Sequence, residues 1–285
     1  RGPEAGFYRH TVPWIGLVAS AIAGGVAWYS WRHGPDRVLA ATGAQEVIAP
    51  VGPDETRLMN VTEEMAIAAG LPRPRVWIIP DEDPNALATG RDPGSSSIAV
   101  TRGLLRMLDR DELQGVVAHE MAHIQNLDVR LMTLLAAMVG ALALMSDVAG
   151  RYLRHGGGRG RNRKGSPLAL VVLILWLLSL LVAPLVSRML AMAVSRRREF
   201  LADATAAQFT RNPMALSRAL EKLGAALPAT RSITRGAAHL CIVDPSERKL
   251  AERPGRLGDL FASHPPLAMR VTRLRGMAYQ ALKGE

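Results

Sequence analysis

Asp109-Arg110-Asp111-Glu112-Leu113-Gln114-Gly115-Val116-Val117-Ala118-His119-Glu120-Met121-Ala122-His123 is the stretch from which the rest of this 285-residue chain can be read. Asp109, followed three residues later by Glu112, has the form of a capping box, with the aspartate accepting from a first-turn N–H and the glutamate reaching back. Leu113, Val116 and Val117 continue an apolar stripe at helical spacing. The pattern predicts a helix from Arg110 through Asp128 with both histidines well inside it. Residues four apart on an α-helix are neighbours on one face, so the His119 and His123 imidazoles reach a common point.

Glu120 adjoins the first of those histidines, which completes an H-E-x-x-H pattern. In that pattern the histidines bind zinc and the glutamate takes a proton from the water activated there, the arrangement of metalloproteases. A catalytic zinc usually has three protein ligands and keeps a fourth position open, so one ligand must come from elsewhere. The best source is Ser195-Arg196-Arg197-Arg198-Glu199-Phe200-Leu201-Ala202-Asp203-Ala204, where Glu199 and Asp203 share a helical face. Glu199 is the candidate third ligand to a single Zn2+ ion per chain. Asp203, one turn on, is placed to accept the free ring N–H of a ligating histidine and so fix its tautomer. Read alone, two acids beside three arginines make a solvated helix face; a metal-binding helix in the same chain reverses that preference.

Composition narrows the class. The lone cysteine, Cys241, excludes a disulfide framework and a cysteine-built metal site. The net charge of +10 is concentrated in residues 151–164, a Gly-rich run holding Arg151, Arg154, Arg159, Arg161, Arg163 and Lys164, and in Arg196 to Arg198. No nucleic-acid fold signature accompanies the run, so no nucleic-acid partner is expected. Membrane-flanking charge is the preferred reading.

The apolar residues are grouped in segments. Residues 168–186 carry no charge and are long enough at 1.5 Å per residue to cross a hydrocarbon core of about 30 Å. Residues 11–31 form a second such segment, with Trp14, Trp28, Tyr29 and Trp31 as interfacial anchors. Residues 131–149 form a third and weaker one, interrupted by Asp147 and also compatible with a buried helix. If Glu199 completes the site begun by His119 and His123, both helices lie on one side of the bilayer, and the two later segments cross together as a hairpin. The expected organisation is an N-terminal tail (1–10), a transmembrane helix (11–31), the first half of a catalytic domain (32–130), a membrane hairpin with its basic loop (131–190), and the second half (191–285). The positive-inside rule does not order these sides, because basic residues flank both.

The remaining sequence reads as α+β, mostly helical. Residues 54–69 predict a helix stopped by Gly70, Arg75–Ile79 and Ser97–Thr101 predict short strands, and residues 83–90 between them predict a turn-rich loop. Strands beside a zinc helix commonly let an extended substrate add as another strand. Asn212-Pro213 starts a helix as cap and first turn, and residues 230–258 read as loop-rich. Leu267, Val271, Leu274, Ala278 and Ala281 fall at helical spacing and read as core. His264, held by Pro265 and Pro266 at that helix's entrance, is either a cap or a donor to the oxyanion of a tetrahedral intermediate.

Together these pieces resemble the HtpX family of membrane zinc metalloproteases, relatives of the CAAX prenyl proteases. The resemblance is carried, in order along the chain, by Pro84-Asn85-Ala86-Leu87-Ala88-Thr89-Gly90, His119 to His123, Ser195 through Asp203, and His264-Pro265-Pro266. It implies a gluzincin-like fold, zinc ligands His119, His123 and Glu199, Glu120 as general base and acid, and Asn85 and His264 as residues of the substrate cleft. It further implies a multi-pass protein of a prokaryotic plasma membrane, with its active site facing the cytoplasm and with damaged or misfolded membrane proteins as substrates. Two features depart from the family pattern. One apolar segment, where two are usual, precedes the catalytic region of a chain that starts at Arg1, and residues 151–164 look like an insertion. The alternatives are a prenyl-protease specificity on the same site, a non-catalytic zinc-binding membrane scaffold, and a basic nucleic-acid binder. Glu120 argues against the scaffold, since a structural zinc needs no base. Oligomeric state is not written in these motifs.

Overall fold

The computed structural model describes residues 14–134, 174, 177–178, 182, 196–226, 241–243 and 265–283. In chain order the elements are α1 (Trp14–Ala41), β1 (Gln45–Glu46), α2 (Pro53–Ala69), β2 (Arg75–Ile79), β3 (Ala86–Thr89), a 3-10 turn (Pro93–Ser95), β4 (Ser97–Thr101), α3 (Arg102–Met107), α4 (Arg110–Gln125), α5 (Arg196–Thr210), α6 (Pro213–Ala225) and α7 (Leu267–Lys283). This is the expected mostly helical α+β arrangement. α4 lies at its centre, against α2, α5, α6 and β3.

The capping box forms with both of its bonds: Asp109 accepts from the Glu112 N–H at 2.9 Å, and Glu112 accepts from the Asp109 N–H at 3.0 Å. The buried Glu112 carboxylate also receives Lys222 of α6 at 2.6 Å, so one side chain caps α4 and docks a neighbour. α4 ends at Gln125, short of the expected Asp128. Leu127 takes a left-handed conformation (φ 59), which costs a residue with a Cβ and breaks the helix before residues 128–134 resume it.

The sheet order is β1-β2-β4-β3. β2 and β4 run parallel, with Val76 opposite Ile98 and Ile78 opposite Val100, and both coincide with the strands expected from sequence. β3 runs antiparallel to β4, with Leu87 opposite Ala99, in the stretch expected to be a loop. Ala-Leu-Ala-Thr between Asn85 and Gly90 has little intrinsic strand preference. Pairing with β4 and burial of all four residues override it.

α1 continues ten residues past the expected end of the 11–31 segment, through Pro35. Its C-terminal part belongs to the folded unit: Val38 and Leu39 are buried and Asp36 accepts from Arg75 of β2 at 3.1 Å. Among the described residues, no helix is long and apolar enough to cross a membrane. The expected hairpin lies outside the described residues except for 131–134 and four isolated helical positions, of which Ile174, Leu177 and Leu178 are exposed.

α4 approaches α6 backbone to backbone at Gly115, where an added Cβ would lie 2.8 Å from the Leu216 nitrogen and 2.9 Å from its Cα. Because the obstacle is main chain, Gly115→Ala must push the helices apart. The expected cost is about 1–3 kcal/mol, the range for overpacked cores, read as a lowered denaturation midpoint with an unchanged m-value.

Candidate metal centre

Helical spacing places the His119 and His123 rings side by side, and α5 brings Glu199 against both. The His119 and His123 Nε2 atoms are 3.2 Å apart. Glu199 Oε1 lies 3.4 Å from His123 Nε2, and Glu199 Oε2 lies 3.6 Å from His119 Nε2. Tetrahedral bonds of about 2.0–2.1 Å put neighbouring ligand atoms about 3.3 Å apart. The imidazole pair matches that spacing, one donor atom from each of the three residues lies within 4.8 Å of the other two, and the donor set of two imidazoles and a carboxylate suits zinc. His119 and Glu199 are buried, while His123 is 16% exposed at the margin.

Each ring's other nitrogen faces a carboxylate. His119 Nδ1 is 3.1 Å from Asp203 and His123 Nδ1 is 3.2 Å from Asp128. A ring that donates from Nδ1 presents its Nε2 lone pair to a metal. Each carboxylate is held in turn by an arginine. Arg270 of α7 donates to both Asp203 oxygens, at 2.9 and 2.7 Å, and Arg198 donates to Asp128 at 3.0 Å. Two parallel relays, Arg270–Asp203–His119 and Arg198–Asp128–His123, thus stand behind the candidate ligands. The first is almost wholly buried and the second lies nearer the surface.

Electrostatics follows this geometry. Burial opposes charge on His123, but Asp128, Glu199 and Glu120 outweigh it and push its pKa up to about 10. The cluster is thus a site that favours a cation. Burial raises the Asp203 carboxyl, yet the charge of Arg270 and the His119 bond overcome it and bring the pKa to about 2. Asp128 is also lowered, burial being outweighed by His123 and Arg198. Fully buried Arg270 stays charged because Asp203, Glu199 and Glu120 surround it. Its Nη2 is nearly equidistant from the two His119 nitrogens, 3.4 and 3.3 Å, and so favours neither.

The structure brings His119, Glu120, His123, Glu199 and Asp203 together. Asn85 is buried just before β3; its Oδ1 accepts from the Ala86 N–H and its Nδ2 donates to the Val243 carbonyl. His264 lies outside the described residues. Three residues of the relays are not legible as such in the sequence. A continuous helix through Asp128 would carry it away from His123, and the break at Leu127 lets it reach back. Arg198 was one of three arginines with nothing to distinguish it. Arg270 carried a signal: it lies on the apolar stripe of Leu267, Val271 and Leu274, where a charge needs a buried partner, and Asp203 is that partner.

A model of peptidase family M48 matches residues 53–278, most of the chain. The chain belongs to peptidase family M48. Every candidate ligand and relay residue named above falls within the match, and α1 precedes it. A protein of Streptococcus uberis described as "Protease HtpX homolog" is 38% identical over 279 residues, covering 97% of this chain and 91% of that protein. One of the same description from Thermoanaerobacter pseudethanolicus is 41% identical over 252 residues, covering 88% of this chain and 80% of that one. Among solved structures, the crystal structure of S. mikatae Ste24p matches with a TM-score of 0.47 and 21% identity, over 90% of this chain and 64% of that one. As an M48 member, the chain is a metalloprotease.

Removing either relay carboxylate should loosen the ligand it holds. Asp128→Ala and Asp203→Ala are each expected to weaken zinc binding about 10–100-fold, measured by competition with a chromophoric chelator. Acid stability gives a second check. The folded pKa of Asp203 is depressed, so its contribution is fully present above the unfolded value near 3.9 and is lost as pH falls toward about 2. Between pH 5 and 2 the melting temperature of the metal-free protein should therefore fall less steeply in Asp203→Asn than in the parent.

Proposed function

We propose that this M48 peptidase is a zinc-dependent endopeptidase of a prokaryotic plasma membrane that cleaves damaged or misfolded membrane proteins. The observation that carries the reading is the convergence of His119, His123 and Glu199 at single-ion spacing, with the buried carboxylate of Glu120 on the same turn of α4. His119, His123 and Glu199 would hold the ion, which when bound supplies a Lewis acid able to bring the pKa of water into the neutral range. Glu120 takes the proton of the attacking water and passes it to the nitrogen of the departing amide. Asn85 offers a side-chain amide to the substrate main chain, and His264 donates to the oxyanion. Asp203 and Asp128 keep the two imidazoles in the tautomer that presents Nε2.

The membrane setting rests on the apolar segments 11–31, 131–149 and 168–186 and on the family resemblance. It pairs a multi-pass anchor with a catalytic centre on the cytoplasmic side. Substrates are extended chains, because the elements around the centre offer main-chain hydrogen bonds along a strand.

Glu120→Gln is expected to keep stoichiometric zinc and the parent melting temperature while losing cleavage of a casein-like unfolded substrate by about 100-fold or more, the scale of general-base loss. Normal turnover in that variant would remove Glu120 from the chemistry. Glu199→Ala is expected to lose zinc, and a full metal complement by elemental analysis would refute its place in the ligand set.

A further inference from the structure

The outer side of β3, the strand site on which the proteolytic reading depends, is already occupied by the chain itself. Leu87 forms an antiparallel bridge with Cys241. The Ile242 N–H donates to the Ala86 carbonyl at 2.9 Å, and Asn85 Nδ2 donates to the Val243 carbonyl at 2.9 Å. Arg270 Nη1 reaches the Ile242 carbonyl at 3.3 Å and lies at the same distance from Glu199 Oε2. The Ile242 carbonyl is thus one guanidinium away from a metal ligand.

All of these contacts fall on main-chain groups of the segment, so any extended peptide could make them. A sheet edge recognises an added strand in this way, by its backbone, with side chains setting only preference. Asn85 and Arg270 are buried polar groups that need an acceptor whether or not substrate is present. An intramolecular segment that supplies those acceptors keeps both satisfied in the resting protein.

We propose that Cys241–Val243 is a resident surrogate for substrate, and that a peptide enters the M48 centre by taking over its main-chain hydrogen bonds with Ala86, Asn85 and Arg270. The proposal rests on the proteolytic reading of that centre and adds to it a regulated entrance. Access is governed by how readily the segment leaves β3. An unfolded chain able to offer a whole strand competes for the site better than a folded surface does.

The single cysteine of the chain provides the test. Because Ile242 bonds to Ala86, Leu87 and Cys241 form a non-hydrogen-bonded cross-strand pair, with Cα atoms about 4.5 Å apart, within disulfide reach. Leu87→Cys therefore adds the one partner needed, and dissolved oxygen takes up the two protons and two electrons released when the S–S bond forms. In the full-length variant, oxidation is expected to lower cleavage of unfolded casein by an order of magnitude or more at unchanged zinc content, and reduction to restore it. Equal rates in the oxidised and reduced forms would overturn the proposal. Hydrogen exchange in Glu120→Gln supplies a readout free of turnover. Casein peptide should speed exchange at 241–243 while 86–89 stays protected; unchanged protection at 241–243 with peptide present would also overturn it. Failure of the parent enzyme to cleave casein counts against the proteolytic reading instead, and the exchange measurement still decides whether the strand is displaced.

Discussion

Two bonds from histidine Nδ1 to a carboxylate, His119 to Asp203 and His123 to Asp128, are the constraint on which the centre depends. A histidine can ligate through either nitrogen, and a ring free to rotate presents neither reliably. Fixing Nδ1 by hydrogen bonding leaves Nε2 as the donor and sets the plane of the ring. The two Nε2 atoms and the Glu199 oxygens can then share one ion. The constraint also dictates chain geometry. Asp203 must lie one turn beyond Glu199 on the same helix, which α5 provides. Asp128 must come back toward α4, which requires the left-handed Leu127. The strain at Leu127 is thus located where an uninterrupted helix would carry Asp128 away from His123.

The two arginines behind these carboxylates address the electrostatic problem that the first constraint creates. Glu120, Glu199, Asp203 and Asp128 bring four carboxylates toward one buried volume. Arg270 is fully buried and touches Asp203, Glu199 and the His119 ring nitrogens, so it compensates the inner pair of acids. Arg198 does the same for Asp128 at the margin. Burial without these cations would drive the carboxyls toward their neutral forms, and a neutral Asp203 would be a poorer acceptor for the His119 ring. Removing an arginine would therefore act on metal affinity through the carboxylate it holds.

What could be read from the sequence was chemistry confined to one helix, and what could not was chemistry that depends on tertiary approach. His119, Glu120 and His123 lie on one turn, and Glu199 and Asp203 on another, so helical periodicity alone placed each set on a face. The capping box at Asp109 and Glu112, the stop at Gly70 and the cap at Asn212 were legible for the same reason: each is satisfied within a few residues. β3 was not legible, because its strand character comes from β4 and not from Ala86 to Thr89. Arg270 was masked by the apolar stripe around it, since a helical pattern shows which face is buried but not which buried residue carries a charge. Asp128 was not legible as a partner of His123, because a left-handed backbone has no sequence signature in a leucine.

The far end of β3 gives the centre a connection to the segments expected to lie in the bilayer. Just beyond the strand, the Gly90 N–H donates to Thr133 Oγ1 at 3.3 Å, and the Arg91 guanidinium sits 5.6 Å from the centroid of the Trp31 ring in α1. One short stretch is therefore gripped by the helix that carries the 11–31 segment and by the helical turns 128–134 that lead into 131–149. Those same turns begin at Asp128, the residue that orients His123. A shift of the 128–134 helix along its axis would act at both of its ends at once, moving the carboxylate behind one metal ligand and the strand on which Cys241–Val243 is seated. The carboxylate beside His123 and the contact to the end of β3 are thus carried by one short helical stretch.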